Sequence, residues 1–90
     1  MDTRWVVYIM KCVDGTLYTG ITTDIDRRLD EHNNSKKAAV YTQGRRPITL
    51  HYLEGPMTKS EALKREIQIK NTTKQQKEAM KNVEGEVNDD

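Results

Sequence analysis

The sequence predicts one small α/β (α+β) domain: a three-stranded, mostly antiparallel sheet flanked by helices, in the order β-β-α-β-α-α. Three observations carry that prediction. Residues 5–12 are apolar on both alternating sets, as in a central strand covered on both faces. Asp14-Gly15 follows at once, a hairpin signal before a second strand-like segment. Two capping boxes, Thr58-Lys59-Ser60-Glu61 and Thr73-Lys74-Gln75-Gln76, then open helices in the second half.

In the first strand Trp5, Val7 and Ile9 form one set, and Val6, Tyr8, Met10 and Cys12 the other. Leu17 to Ile21 returns beside it. The loop length decides which side chains share a face. A two-residue Asp14-Gly15 loop pairs Val13 with Thr16 and puts Tyr8 and Tyr18 on opposite faces. A three-residue loop, Val13-Asp14-Gly15 with Gly15 left-handed, pairs Cys12 with Thr16 instead. Met10 then opposes Tyr18, Tyr8 opposes Gly20, and the tyrosines share a face. A one-residue slip inverts every side chain, so the register tests whether the two act together. The three-residue loop is the expected one.

Thr22-Thr23-Asp24 supplies N-cap chemistry for a helix from Ile25 to about Asn33. Ile25 and Leu29 set its inward stripe, and helical spacing adds Arg28 and His32 to it. Arg27, Asp30 and Glu31 fall outward, with Arg27 and Glu31 placed to pair at i,i+4. Asn33 to Arg46 is polar and basic apart from residues 38–41, and reads as a functional or mobile loop with room for a turn of helix. Pro47 to Leu53 alternates as a third strand, which Gly55-Pro56 ends. A helix runs from Lys59 to about Lys70, with Ala62, Leu63, Ile67 and Ile69 or Lys70 on its buried side and Glu66 inside that stripe. A short helix follows to about Lys81. From Val83 the chain is acidic and expected to fray. Residues 1–83 therefore form the domain and 84–90 an acidic tail, with no internal repeat or linker.

Composition narrows the function classes. The chain has 90 residues, 34% hydrophobic and 32% charged. No apolar run approaches the roughly 20 residues that span a bilayer, so no membrane role is expected. A single Cys12 forms neither an internal disulfide nor a zinc site, which makes a reducing cytoplasm the expected location. Glu84, Glu86, Asp89 and Asp90 are four of the 14 acids and have no base among them. The rest sets ten acids against all 15 bases, a net of +5 that suits a polyanionic partner.

Taken singly, the polar residues have ordinary readings. Tyr8 and Tyr18 fit half-buried strand positions, Arg28 a side chain at the edge of a helix stripe, and Glu66 an ion pair with Lys70. His51 reads as structural or solvated. Lys36-Lys37 and Arg45-Arg46 read as solvated charge pairs. Together the pattern changes, because Arg28, His32 and Glu66 are ionisable side chains on inward stripes and are costly to bury without purpose or partners. Asp24, Asp26 and Asp30 lack calcium-loop spacing, and there is no phosphate-cradling glycine loop.

Val6-Val7-Tyr8, then Tyr18-Thr19-Gly20 ten residues on, then Arg28, His32 and Glu66, form an ordered set that resembles the GIY-YIG nuclease superfamily. The resemblance runs from about Trp5 to Lys81 and is to the short, single-domain bacterial branch. Val6 stands where the family name has its first glycine, and Thr19 where the second triplet has isoleucine. The resemblance implies Tyr8, Tyr18, Arg28, His32 and Glu66 as active-site residues, with Gly20 in the sheet beneath them. Glu66 would be the ligand of one divalent ion, Mg²⁺ or Mn²⁺. Lys11, Lys36, Lys37, Tyr41, Arg45, Arg46 and Lys70 would lie along nucleic acid.

The chemistry is coherent. A hard cation that keeps its waters needs only one carboxylate and the substrate phosphate, and a guanidinium fork suits the scissile phosphate as a lysine does not. Tyr8 would serve as base for the water if a nearby cation lowers its pKa, with His32 or Tyr18 positioning or relaying. The implied function is metal-dependent endonucleolytic hydrolysis of DNA, RNA not being ruled out, with branched or damaged DNA as the substrate of relatives in repair and recombination. A targeting protein partner is a further expectation. Two other classes remain open: a nucleic-acid-binding module with weak or lost cleavage, and a protein-interaction adaptor.

Overall fold

The computed structural model describes residues 2–35 and 44–80. Strand β1 spans Trp5–Lys11, β2 Leu17–Thr22 and β3 Thr49–Met57; helix α1 spans Ile25–Asn34, α2 Lys59–Lys70 and α3 Lys74–Ala79. The element order is the expected one. The sheet runs β2-β1-β3 with both pairings antiparallel, so the doubly apolar β1 is the central strand.

The hairpin closes through three residues. Cys12 N–H donates to the Thr16 carbonyl at 2.8 Å, Gly15 N–H donates to the Cys12 carbonyl at 2.9 Å, and Gly15 has φ +86°. Asp14 holds the turn by accepting from Thr16 N–H at 3.1 Å and from its hydroxyl at 2.6 Å. Tyr8 therefore opposes Gly20 and Met10 opposes Tyr18, as the three-residue loop requires.

The register sorts the core into two layers. One face of β1 buries Val7 and Ile9 against Ala62 and Ile69, with Leu17, Ile21, Tyr52, Met57 and Met80 around them. The other buries Tyr8, Met10 and Cys12 with Ile48, under Tyr18, Ile25, Leu29 and Leu53. Helices α2 and α3 thus cover the first face and α1 the second. All three helices start on a designed cap: Asp24 accepts from Arg27 N–H at 3.1 Å, and both capping boxes form reciprocally around Thr58 and Thr73.

Three expectations need correcting. Strand β3 does not stop before Gly55-Pro56 but continues to Met57. Gly55 has φ +129°, and a Cβ there would lie 2.9 Å from the Trp5 carbonyl oxygen and 3.2 Å from Val6 Cα. Glycine is what lets β3 pass this close to β1, at an irregularity between the Trp5 and Val7 pairs. β3 is also an edge strand, where proline is tolerated. On α2 the buried stripe is narrower than expected. Ala62 and Ile69 are fully buried, whereas Leu63 is 41% and Ile67 59% exposed. The helix is rotated so that 62, 66 and 69 face the sheet. Finally, Glu31 pairs with Arg28 at i,i+3, not with Arg27.

His51 follows its structural reading, its Nε2 lying 3.1 Å from the Lys77 carbonyl and tying β3 to α3. The loop expectation for residues 36–43 and the frayed acidic tail lie outside the described residues. Among the described residues no helix is long and apolar enough to cross a membrane.

Candidate active site

The site grows from the face that α1 covers. Tyr8 leaves the central strand opposite Gly20, and its ring fills the space that a side chain on residue 20 would take. A Cβ on Gly20 would stand 2.5 Å from Tyr8 Oη and 2.7 Å from Cζ. Helix α1 then lowers Arg28 and His32 onto the phenol. Arg28 Nε donates to Tyr8 Oη at 3.4 Å, and His32 Nε2 lies 3.4 Å from the same oxygen. Tyr18 completes the cluster, its ring centroid 5.2 Å from His32 and 6.4 Å from Tyr8. Three of the five expected catalytic residues thus meet at one hydroxyl, and the ring of a fourth, Tyr18, packs beside them.

Electrostatics divides their roles. His32 is fully buried. Burial first, then the Arg28 and Arg46 cations, lower its pKa to about 4 against the opposing pull of Glu31. The imidazole is therefore neutral near pH 7. Burial also raises the Tyr8 pKa, and the hydrogen bond and charge of Arg28 only partly offset it. The condition set for Tyr8 as a ready base is not met by Arg28 alone; Tyr8 is a phenol at neutral pH. Arg28 reaches both ways, donating through Nη1 to Glu31 at 3.1 Å.

Glu66 comes from the other side of the sheet, on the inward stripe of α2. Its side chain is 17% exposed and pairs with Lys70 Nζ at 3.3 Å. Its charge is felt at Tyr8, where it opposes ionisation of the phenol. Among the described residues no group of three or more His, Cys, Asp or Glu is arranged to hold a metal. One partly buried carboxylate near a tyrosine cluster fits a hard divalent ion that keeps most of its waters, and does not fit a metal needing a protein cage.

The expected nucleic-acid contacts are scattered. Lys36, Lys37 and Tyr41 lie outside the described residues. Lys11 is exposed at the end of β1, but it pairs with Leu17 and so shares the face of Val7 and Ile9 rather than that of the tyrosines. Arg45 Nε reaches Asp14 at 3.2 Å on the hairpin turn. Arg46 is turned inward, donating from Nε to the His32 carbonyl and from Nη2 to the Ser35 carbonyl, both at 2.6 Å. Lys70 is held by Glu66.

Two residues were not singled out in sequence. Glu31 orients Arg28. Asn33 binds the backbone of Ile48 at both ends, donating to its carbonyl at 2.9 Å and accepting from its N–H at 2.7 Å. Its only local signal is a side chain also within 3.3 Å of the Leu29 carbonyl, a contact common to many helical asparagines.

Comparison with known proteins identifies the family. A family profile described as the GIY-YIG catalytic domain matches residues 4–79. The UPF0213 protein of Staphylococcus epidermidis is 57% identical over 77 residues, covering 86% of this chain and 92% of that one. That of Halobacterium salinarum is 51% identical over 74 residues, covering 82% and 95%. That of Desulfotalea psychrophila is 61% identical over 66 residues, which is 73% of this chain and 60% of that relative's length. The solution NMR structure of the UPF0213 protein from Bacillus halodurans aligns with a TM-score of 0.51 at 43% identity, covering 82% of this chain and 78% of that one.

Proposed function

The chain belongs to the GIY-YIG catalytic domain family, a family of nucleases that generally use divalent metal ions, and on that premise we propose that it is a metal-dependent endonuclease hydrolysing DNA phosphodiesters. The observation that supports this reading best is the convergence of Arg28 and His32 on the phenolic oxygen of Tyr8, with the Tyr18 ring packed beside them.

The residues act as follows. Arg28 presents its fork to the scissile phosphate, neutralising charge on the non-bridging oxygens. Tyr8 Oη takes the proton of the attacking water while its own proton passes to His32 Nε2, which is neutral and able to accept. The hydroxide forms the new bond to phosphorus, and the bond to the leaving oxygen breaks. Tyr18 packs against His32 and holds its ring. Glu66 would hold one divalent ion, Mg²⁺ or Mn²⁺, which when bound supplies positive charge to the phosphate and the leaving oxygen. Lys70, paired to Glu66 and more than half exposed, would add a cation beside that carboxylate toward the nucleic acid.

Residues 1–83 are the nuclease domain in this reading, and 84–90 an acidic tail. Lys11, Lys36, Lys37, Tyr41 and Arg45 serve as contacts to phosphates, giving salt-sensitive and weakly sequence-selective binding. Branched or damaged DNA in repair or recombination is the substrate class, delivered by a targeting protein. The free, buried Cys12 fits a reducing cytoplasm.

The test is cleavage of duplex, single-stranded, flap and four-way-junction DNAs with Mg²⁺ or Mn²⁺. Tyr8→Phe, Arg28→Ala and Glu66→Ala should each lower the rate by roughly 10²–10⁴-fold while binding persists. Binding without cleavage by the wild-type protein on every substrate would replace the nuclease with a binding module. Absence of binding as well would leave only an interaction adaptor.

A further inference from the structure

The chain leaves α1 at Ser35 and comes back at residues 44–48, and the two ends are fastened together at two points. Asn33 carries the first, a two-way amide pairing with the backbone of Ile48 at 2.9 and 2.7 Å. Arg46 carries the second. Its Nε and Nη2 donate, each at 2.6 Å, to the carbonyls of His32 and Ser35. The last carbonyls of a helix have no partners within it, so a guanidinium there satisfies two acceptors and meets the negative end of the helix dipole.

One of those carbonyls belongs to His32, the residue whose ring lies against Tyr8 and Tyr18. The backbone of His32 is thus held from behind while its ring faces the tyrosines. We infer that Arg46 is a positioning residue for the catalytic cluster, fixing His32 through its carbonyl, and not a contact to nucleic acid. This rests on the nuclease reading only for its effect on rate; the effect on His32 stands without it.

Geometry separates the two roles. A phosphate contact needs a cation facing outward, and Arg46 spends Nε and Nη2 on inward carbonyls. Two acceptors three residues apart on a helix end need a fork of fixed donors, which a lysine ammonium reproduces poorly. Groups facing His32 among the described residues include Tyr8 of β1, Tyr18 of β2, Arg28 and Glu31 of its own helix, and Arg46 of the returning chain. Arg46 is thus the member of that set that comes from outside the hairpin and α1.

Arg46→Lys and Arg46→Gln test the assignment, read by NMR titration of the His32 ring, by the salt dependence of DNA binding, and by kcat against KM. Both variants should move the His32 ring signals, whereas its titration midpoint should rise only slightly from about 4, because burial and Arg28 lower it more than Arg46 does. The slope of log affinity against log salt should stay as in the wild type. Cleavage should lose on the order of a hundredfold in kcat at unchanged KM, as expected for a misplaced catalytic group. A salt slope reduced by about one in Arg46→Gln, with His32 unchanged, would make Arg46 a phosphate contact and overturn the inference. A lysine variant with wild-type His32 ring signals and rate would overturn it too, because a single cation would then suffice. If the wild-type protein cleaves nothing, the nuclease reading fails, and the displacement of the His32 ring signals in the two variants still decides the role of Arg46.

Discussion

The two faces of the sheet carry different kinds of layer. Under α2 and α3, Val7, Ile9, Ala62 and Ile69 form a layer of aliphatic side chains. Under α1, the interior holds a tyrosine, a neutral histidine and an arginine edge beside Met10, Cys12 and Ile48. The first layer needs only volume. The second needs each polar atom matched, since an unmatched buried donor or acceptor costs about 1–3 kcal/mol, and among the described residues no buried side-chain nitrogen or oxygen lacks a partner. A domain this small can host a polar layer on one face because the other is built mainly of aliphatic side chains, with Glu66 as the partly buried ionisable group that α2 turns toward the sheet there.

The contrast can be broken most visibly at Ile69, which is fully buried. Ile69→Ala should lower unfolding free energy by about 2–5 kcal/mol in urea titrations. Tyr8→Phe on the other face keeps the volume and takes the hydroxyl from the buried His32 Nε2, and should cost less, about 1–3 kcal/mol. Equal losses from the two would erase the distinction.

Acid sharpens it next. In the folded protein His32 titrates at about 4 rather than 6.5, so between those values the unfolded chain binds a proton that the native state refuses. Stability is therefore fully present above pH 6.5 and falls as the pH drops toward 4, by on the order of 3 kcal/mol. Urea titrations at several pH values, with His32→Gln as the reference, should show this loss in the wild-type protein and not in the variant.

A last test is Gly20→Ala. The new methyl would meet Tyr8 Oη and Cζ at 2.5 and 2.7 Å, so the ring must shift, at about 1–3 kcal/mol. Because the shift moves the hydroxyl away from Arg28 and His32, cleavage should fall more than stability does. A rate unchanged beside a measurable stability loss would remove Tyr8 Oη from the chemistry.

Much of this was legible in the chain because it depends on neighbours in sequence. The hairpin register follows from Asp14-Gly15 and the alternation around it. Both capping boxes are four-residue signals, and the inward positions of Arg28 and His32 follow from Ile25 and Leu29. What was missed depends on contacts across the fold. Gly55-Pro56 reads locally as a stop, yet β3 passes it because β1 lies close enough there to require a glycine. Leu63 and Ile67 read as core, yet the rotation of α2 is set by Ala62 and Ile69 against β1, and the two face solvent. Arg46 reads as one of a basic pair, and only the return of the chain past the end of α1 gives it two carbonyls to hold.

The three-residue hairpin has a consequence for altering this protein by insertion or deletion. Substitutions at Val13 or Asp14 change a turn, whereas adding or removing a single residue there changes parity. Every side chain of β2 would then exchange layers, sending Tyr18 toward the aliphatic side and Leu17 and Ile21 toward the histidine. Two added residues restore parity and lengthen only the tip. Between β1 and β2 the tolerated loop lengths therefore run in odd numbers, and the tyrosine–histidine layer is protected by a count of residues more than by their identity.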